Sequence, residues 1–489
     1  MRDNRVRDDR HTSIVRASVA CLTLTMVVGA CGSGATTAPS AATTNAPSAA
    51  TAAPSAAAAA WPQDCAGTTL NVIAESITQT QVLESLIPDL TAKTGMTANF
   101  EMTSYEGIGQ KTVLDFTTHK GTYDVISMPY ELLGGYVGKN YIVPIDDYLA
   151  NPKFQVPGFD AADVVPALWA TASKWQDKTY GFPSETVVMM YLYRKDLMSD
   201  PGEQAAFKAK YGYDLAPATT WQQFRDNAEF FTRKAGDKLA GQTLDRDFFG
   251  DVADVRRDRA TMEWRNYLWS FGGDIFDASG NLAVNSDASV KSVEYEESLM
   301  PFTPPGSNTY AFDEVVTAWQ QDTVAGGIFW GDAVSMLEDP AQSKVVGKVG
   351  YASIPVLNAG DKAVAYSGPW TYVLSNDTQK KDCAYLFMAW AMSKDTQAAM
   401  SQQGGYPVIA SVLQDPELVA RYPYWSQLLT SLNVARGGPR IPEWPAMANI
   451  IGLAISNTLT GQDDAKAAMD AAQKDILEQF KDVFPVTAQ

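Results

Sequence analysis

Two hydrophobic periods alternate along TTLNVIAESITQTQVLESLIPDLTAKTGMTANFEMTSYEGIGQKTVLDFTTHKGTYDVISM, residues 68–128. Leu70, Val72 and Ala74 recur with the period of two that is typical of a β-strand. Residues 82–90 then carry Val, Leu and Ile side chains at helical spacing. The segment therefore begins with a strand that is followed by a helix.

The same alternation continues twice more and predicts the fold class. Gly95 is a typical helix stop, because glycine adopts the left-handed backbone conformation easily. We expect a second strand over 96–102, a helix over 107–118 and a third strand over 123–128. Strands that alternate with helices predict an α/β fold in which a parallel sheet has helices on both faces.

The loops that follow these strands are where a ligand is expected. Ligands of parallel sheets bind beyond the carboxyl ends of the strands. The loop after Ala74, the pair Tyr105 and Glu106, and the pair Tyr130 and Glu131 all fall there. An aromatic ring can cover an apolar face of a ligand, and a carboxylate can accept hydrogen bonds from hydroxyl groups. Each pair could equally be a solvated loop pair.

Two further helices are marked by local signals. Thr220 can cap a helix, and Gln223 three residues later completes a capping box. A second helix is expected over about 378–392, and it contains Cys383.

Composition excludes several classes of function. The 489 residues carry a formal net charge of −18, which argues against nucleic-acid binding because phosphate contacts need clustered Lys and Arg. The two histidines are His11 and His119, so a histidine-based catalytic triad or a multi-histidine zinc site is not expected. Residues 245–256 resemble a calcium loop only faintly, since Arg256 stands where a Glu is needed. We expect neither a metal nor a cofactor.

The N-terminal region has the pattern of an export signal. Arginines in residues 1–13 precede an apolar run that ends at Cys31, and this run is too short for a comfortable membrane span. The small residues before Cys31 resemble a bacterial lipobox, which predicts a signal peptide over 1–30 and lipid attachment at Cys31. The alternative is an ordinary secretory signal. Residues 31–64 are rich in Ala, Thr, Ser and Pro and predict a flexible linker.

Cysteine usage agrees with an oxidising compartment. The chain has four cysteines, of which Cys21 lies in the signal segment and Cys31 at its end. Cys65 and Cys383 then remain and are candidates for a disulfide. The alternative is two buried free thiols.

Seven segments occur in the order and with the character found in one protein family. They are YDVISMPYELLGGYVGKNYIVPIDDYL (123–149), YGFPSETVVMMYLYRKDLM (180–198), PATTWQQF (217–224), LWSFGGDIFDASGNLAVNSDASV (268–290), IFWGDAVSMLEDP (328–340), SGPWTYVLSNDTQKKDCAYLFMAW (367–390) and QQGGYPVIASVLQDPEL (402–418). Over 68–480 the chain thus resembles the family 1 extracellular solute-binding proteins of bacterial ABC importers. NTYAFDEVVTAWQQDTVAGGIFWGDAVS (308–335) resembles the sugar- and polyol-binding members most.

The resemblance implies a periplasmic-binding-protein-like fold, in which hinge strands join two α/β lobes and the ligand cleft lies between them. By analogy, the first lobe comprises residues 65–179 and 368–413, and the second comprises 180–367 and 414–489. Hinges are expected near residues 180–181, near 367–368 and near Val412. Cys65 and Cys383 would then lie in the same lobe, which favours the disulfide.

The resemblance and the chemistry of sugars together suggest the binding residues. A sugar needs an aromatic plate for its CH face and polar partners for its hydroxyls. Trp370 is the first candidate for the plate, although it could instead be a core residue. The further candidates, in addition to the two Tyr and Glu pairs, are Trp330, Asp332, Glu185, Gly405, Tyr406, Trp444 and Arg440.

The resemblance implies a monomeric binding lipoprotein, and not an enzyme, on the outer face of the bacterial cell membrane. It would capture a sugar or polyol by hinge closure and deliver it to the permease subunits of an ABC transporter. Three alternatives stay open: the same fold with another small polar solute such as a polyamine or organic acid, a secreted carbohydrate-active enzyme, and an adhesion or scaffold lipoprotein. No nucleophile elbow or phosphate-loop motif favours an enzyme.

Overall fold

The computed structural model describes residues 60–486, and two β-sheets organise this part of the chain. Their strands are β1 Thr69–Glu75, β2 Thr97–Thr103, β3 Val125–Pro129, β4 Gly181–Pro183, β5 Met189–Arg194, β6 Gly326–Trp330, β7 Val349–Ala352 and β8 Trp370–Leu374. The larger sheet has the strand order β2-β1-β3-β8-β4, and the smaller has the order β6-β5-β7. Short strand pairs join Lys174–Trp175 to Lys178–Thr179, Lys238–Leu239 to Gln242–Thr243, and Ala365–Tyr366 to Ala435–Arg436.

Helices surround both sheets. Those of eight residues or more are Thr78–Ser85, Ile87–Thr94, Tyr105–Thr118, Pro201–Tyr211, Trp221–Phe231, Ala260–Ser270, Asp287–Glu297, Phe312–Gln320, Lys381–Ala391, Lys394–Gln402, Trp425–Leu432, Trp444–Leu459 and Ala465–Gln479. Shorter α-helices span Leu133–Gly138, Asp146–Ala150, Pro166–Leu168, Lys195–Met198, Val334–Leu337, Ala410–Leu413 and Pro416–Arg421.

The larger sheet confirms the predicted parallel strands and adds two antiparallel ones. β1 pairs in parallel with both β2 and β3. β8 pairs antiparallel with β3 and with β4. As a result, Trp370 at the start of β8 lies opposite Pro129 at the end of β3. Trp370 therefore lies at the sheet edge where the parallel strands end, which is the edge expected to bind a ligand.

The chain passes between the two sheets within a few residues. β4 ends at Pro183 in the larger sheet, and β5 begins at Met189 in the smaller sheet. The return segment runs beside this crossing, because Ser367 bridges Val188 and its hydroxyl donates to the Val187 carbonyl over 2.6 Å. The molecule thus has two α/β lobes joined by adjacent crossing segments, which confirms the predicted fold class.

Local signals in the sequence account for several element boundaries. Thr220 and Gln223 form the predicted capping box at the start of helix Trp221–Phe231. Gly95 ends helix Ile87–Thr94 with a φ of 70°. A disulfide joins Cys65 to Cys383. It ties the segment before β1 to helix Lys381–Ala391.

The predicted signal peptide, Cys31 and most of the predicted linker lie outside the described residues. Within residues 60–486, no helix combines the length and the apolar character needed to cross a membrane.

Asp251, Glu263 and Glu296 are three of the buried carboxyl groups of the second lobe. Glu263 accepts a hydrogen bond of 2.7 Å from the Tyr267 hydroxyl, whereas both oxygens of Asp251 and of Glu296 have no hydrogen-bond partner among the described residues. Burial raises the pKa of all three groups, and repulsion from the neighbouring carboxyls raises the pKa of Glu263 and Glu296 further. The pKa of Asp251 rises from 3.8 to about 7.

This shift predicts that the contribution of Asp251 to stability falls as the pH rises from about 4 to 7. The native state keeps the Asp251 proton in this range while the unfolded state releases it, so the unfolded state binds fewer protons and is favoured by higher pH. Asp251→Asn should therefore be more stable than the wild type at pH 7.5, by up to about 4 kcal/mol. At pH 4 the variant and the wild type should have nearly the same stability. Urea unfolding at both pH values measures this. The exposed Asp177→Asn is the control, and equal pH dependence in Asp251→Asn and wild type would contradict the prediction.

Candidate functional site

A cavity of about 70 Å³ lies between the ligand edge of the larger sheet and the end of the smaller sheet. Both lobes contribute to its walls. Its lining residues are Glu75, Ile77, Tyr105, Pro129, Tyr130, Glu131, Glu185, Val187, Arg259, Met262, Phe312, Trp330, Asp332, Tyr366, Gly368 and Trp370.

The first-lobe wall is aromatic. The rings of Trp370 and Tyr105 pack edge to face, with centroids 5.7 Å apart. Trp370 is 6% exposed, so most of its surface is already covered by protein and only a small part is open to the cavity. Ser104 caps helix Tyr105–Thr118 and thereby sets where Tyr105 begins the helix.

The second-lobe wall carries Trp330, which is held by a charged pair. Trp330 is 5% exposed, and its indole N–H donates to Asp254 over 3.2 Å. The guanidinium of Arg259 donates to both oxygens of Asp254, with two contacts of 2.8 Å. Because a two-pronged contact of this kind fixes geometry, Asp254 and Arg259 orient Trp330 towards the cavity.

A buried ion pair joins the lobes at the base of the cavity. Arg265 is 0% exposed, and its Nη1 donates to Oε1 of Glu131 over 2.7 Å. The Tyr366 hydroxyl donates to the same oxygen over 3.0 Å. The Arg265 guanidinium lies 4.0 Å from the Tyr366 ring centroid and 5.2 Å from that of Trp444. Gly438 packs so closely here that an added Cβ would overlap the guanidinium.

Three carboxyl groups face the cavity without an ion-pair partner among the described residues: Glu75, Glu185 and Asp332. Burial raises the pKa of Glu75 to about 8, although the charge of Arg259 opposes this shift. Burial raises the pKa of Asp332 to about 6. Burial, followed by repulsion from Asp332 and Glu75, raises the pKa of Glu185 well above its ordinary value.

The predicted binding residues fall into three groups: those that line the cavity, those next to it and those outside it. Those that line the cavity are Trp370, Trp330, Asp332, Glu185, Tyr105, Tyr130 and Glu131. Tyr406 lies next to it, in a smaller pocket that Glu185 and Asp332 share. Its backbone N–H donates to Gln79 over 2.7 Å, and Gly405 beside it leaves the room that Gln79 needs.

Three predicted residues lie outside the cavity. Glu106 forms a surface ion pair of 2.8 Å with Arg256 of the other lobe. Trp444 is fully buried beneath Arg265, so its ring supports the ion pair and is closed to solvent. Arg440 lies at a separate surface groove, where Nη1 donates to the Thr171 carbonyl over 3.0 Å.

Several lining residues carry too little signal in the sequence to be selected as binding residues. Glu75 is the last residue of β1, at the start of the loop that the sequence predicts to be at the site, but a single carboxyl at a strand end carries no distinguishing signal. Phe312 lies within the quoted segment 308–335 but carries no feature that separates it from a core residue. Arg259 and Tyr366 carry no sequence signal, because the role of Arg259 depends on its bond to Asp254 and that of Tyr366 on Arg265, which lies in a distant segment.

Within residues 60–486, no cluster of His, Cys, Asp or Glu side chains could hold a metal ion. The site consists of aromatic walls and hydrogen-bonding groups.

Comparison with known proteins identifies the family. The sequence profile of the family described as "Bacterial extracellular solute-binding protein" matches residues 74–398. The chain belongs to this family. Proteins of this family bind solutes outside the cytoplasm for ABC importers, so the protein is an extracytoplasmic solute-binding protein.

Individual relatives agree with this assignment. A Sinorhizobium fredii protein described as "Probable amino-acid ABC transporter periplasmic-binding protein" is 26% identical over 376 residues, covering 76% of this chain and 79% of the relative. The mannitol-binding protein of Pseudomonas aeruginosa is 23% identical over 397 residues, covering 76% of this chain and 84% of the relative.

Solved structures share the fold. A solute-binding protein of Agrobacterium radiobacter in complex with ribitol has a TM-score of 0.74 and 26% identity, covering 85% of this chain and all of that one. A solute-binding protein of Agrobacterium vitis with bound D-mannitol has a TM-score of 0.71 and 22% identity, covering 85% and 99%.

The inter-lobe ion pairs Glu131–Arg265 and Glu106–Arg256 should differ in strength. Glu131→Gln leaves Arg265 buried without a counter-charge, which should lower the free energy of unfolding by roughly 3 kcal/mol. Glu106→Gln breaks the exposed pair with Arg256 and should cost less than about 1 kcal/mol. Urea unfolding of the two variants and the wild type measures both. Equal losses of unfolding free energy in the two variants would show that the buried pair stabilises the protein no more than the exposed pair does.

Proposed function

We propose that this solute-binding protein captures a sugar or polyol and delivers it to the permease subunits of an ABC importer. One observation carries the proposal: a cavity between the lobes has an indole wall from each lobe, Trp370 and Trp330, with carboxyl groups between them. Indole rings cover the CH faces of a sugar or polyol, and carboxyl groups bind its hydroxyls.

The ligands of the relatives support a hydroxylated solute. Ribitol and D-mannitol are bound by structural neighbours, and mannitol is named for a curated relative. An amino acid, which another relative's description names, would need a cation for its carboxylate. Among the described residues at the cavity, Arg259 is already paired with Asp254, and Arg265 with Glu131. This pairing favours a sugar or polyol over an amino acid.

The mechanism we propose is hinge closure. We divide the lobes at 65–179 with 368–413 and at 180–367 with 414–489, with hinges near 180–181, 367–368 and Val412. Walls from both lobes contact the solute at once, so binding favours the closed form over the open one. The closed form is then the one that the permease recognises.

We also propose that the protein is a monomeric lipoprotein. The arginine-rich start, the apolar run and the small residues before Cys31 support a signal peptide over 1–30 and a lipid-anchored Cys31. The linker of 31–64 would then separate the binding lobes from the outer face of the cell membrane.

Loss of Trp370 should abolish solute binding. A solute at a hundredfold excess over its Kd stabilises the wild type by about 2.7 kcal/mol, which raises the melting temperature. Trp370→Ala should lose this increase while the free protein remains folded, because the indole lies at the cavity edge of β8. A thermal-shift screen with sugars and polyols, ribitol and mannitol included, measures it.

Trp61→Ala is the matched control, since Trp61 lies away from the cavity, 5.2 Å from Lys93. It should keep the solute-induced shift. A Trp370→Ala variant that keeps the full shift would remove this residue from the site. Release of product from a bound glycoside would contradict the assignment as a binding protein and favour a carbohydrate-active enzyme.

A further inference from the structure

The charges that line the cavity do not balance. Four carboxyl groups and one guanidinium line it. Glu131 is neutralised by Arg265, and Arg259 by Asp254, which lies behind the wall. Within residues 60–486, Glu75, Glu185 and Asp332 are thus left without an ion pair, although the charge of Arg259 acts on Glu75 and Asp332.

In two of these three groups, one carboxyl oxygen that is closed to solvent also has no hydrogen-bond partner among the described residues. Glu185 is 2% exposed, and its Oε2 has no partner in the described part of the chain. The Oδ1 atom of Asp332 likewise has none. Repulsion from Asp332 raises the pKa of both Glu185 and Glu75, which shows that the three groups interact. Buried carboxyls without partners are costly, so this arrangement points to a ligand group that satisfies them.

The aromatic walls are also suited to a positively charged ligand group. Cations are attracted to the faces of aromatic rings. Arg259, which lines the cavity, lies 5.5 Å from the Tyr105 ring centroid, and Arg265, which lies behind the wall, is 4.0 Å from that of Tyr366. Trp330, Trp370 and Phe312 also line the cavity, and no cation is placed over them in the described residues.

We infer that the solute carries a protonated amine in addition to its hydroxyl groups, as an amino sugar or an amino polyol does. The ammonium group binds Glu75, Glu185 and Asp332. An ammonium has three N–H donors, which matches three carboxylate acceptors, and charge-assisted hydrogen bonds of this kind are strong. The hydroxylated part of the solute lies between Trp330 and Trp370. This inference rests on the proposed function and narrows its substrate class.

A neutral polyol would make different demands on the same groups. It brings no counter-charge, so the three carboxyls would have to be protonated in the complex and act partly as donors. An amine instead favours the ionised carboxylates and releases their protons on binding. An amine and a neutral polyol should therefore differ in affinity. They should also differ in how much affinity is lost when a carboxyl charge is removed.

Matched solute pairs test the inference. Isothermal titration at pH 7.5 compares 1-amino-1-deoxysorbitol with sorbitol, and glucosamine with glucose and with N-acetylglucosamine, which lacks the charge. Spermidine serves as a cation without hydroxyls. At least one charged, hydroxylated solute should bind about tenfold or more tightly than its neutral counterparts and than spermidine.

Variants then locate the ammonium site. Glu185→Gln and Asp332→Asn should each weaken binding of the amine about tenfold or more, and binding of the neutral counterpart by less than about threefold, because the amide keeps the shape but loses the charge. Glu75→Gln, at a partly exposed position, gives a third variant that should fold even if a buried one does not. Glu229→Gln, at an exposed ion pair with Lys210, is the control and should change neither affinity.

The outcomes separate this inference from the proposed function. If neutral solutes bind as tightly as their amines, or if the carboxyl variants weaken both equally, the ammonium site is wrong and the sugar or polyol function stands. If spermidine binds most tightly, the requirement for hydroxyls is wrong. If no sugar, polyol or amine binds, the proposed function fails together with the inference.

Discussion

The cavity depends on the ion pair between Glu131 and Arg265. Glu131 follows the third parallel strand of one lobe, and Arg265 lies on helix Ala260–Ser270 of the other. Taking both charges out of water is costly, so the pair persists only where further contacts satisfy the same groups. Tyr366 supplies two of these, a hydrogen bond to Glu131 and a ring face for Arg265. Since Tyr366 also packs against Trp330, with ring centroids 5.5 Å apart, the ion pair determines where the second-lobe wall stands.

The positive and the negative groups of the site have different roles. The positive groups stabilise the walls, and the negative groups face the solute. The guanidinium groups of Arg259 and Arg265 are each paired and hold the walls in place. The carboxyls of Glu75, Glu185 and Asp332 are unpaired within the described residues and face the empty space. A site built in this way has its positive charges committed to the protein and its negative charges available to a solute. The aromatic walls then select solutes with an apolar face.

The sequence predicted the elements that have a local cause. The period-two pattern of Leu70, Val72 and Ala74, the stop at Gly95 and the capping box at Thr220 all depend on neighbours in the chain, and the structure confirms them. Periodicity did not predict the antiparallel pairing of β4 and β8, because their partners lie in distant segments. Trp444 illustrates the same limit. It is a candidate binding residue in the sequence, yet in the structure it lies buried beneath Arg265. Burial of this kind follows from packing between segments that are far apart in the chain, and no local pattern marks it.

The closing of the lobes around a solute is the claim on which the account depends, and a distance across the cleft tests it most directly. Spin labels on Gln110 and Arg257, exposed positions beside the ion pair of Glu106 and Arg256, report the separation of the lobes at the mouth. Double electron–electron resonance should give a shorter and narrower distance distribution when the solute that binds most tightly is added. The same distribution with and without that solute would contradict closure.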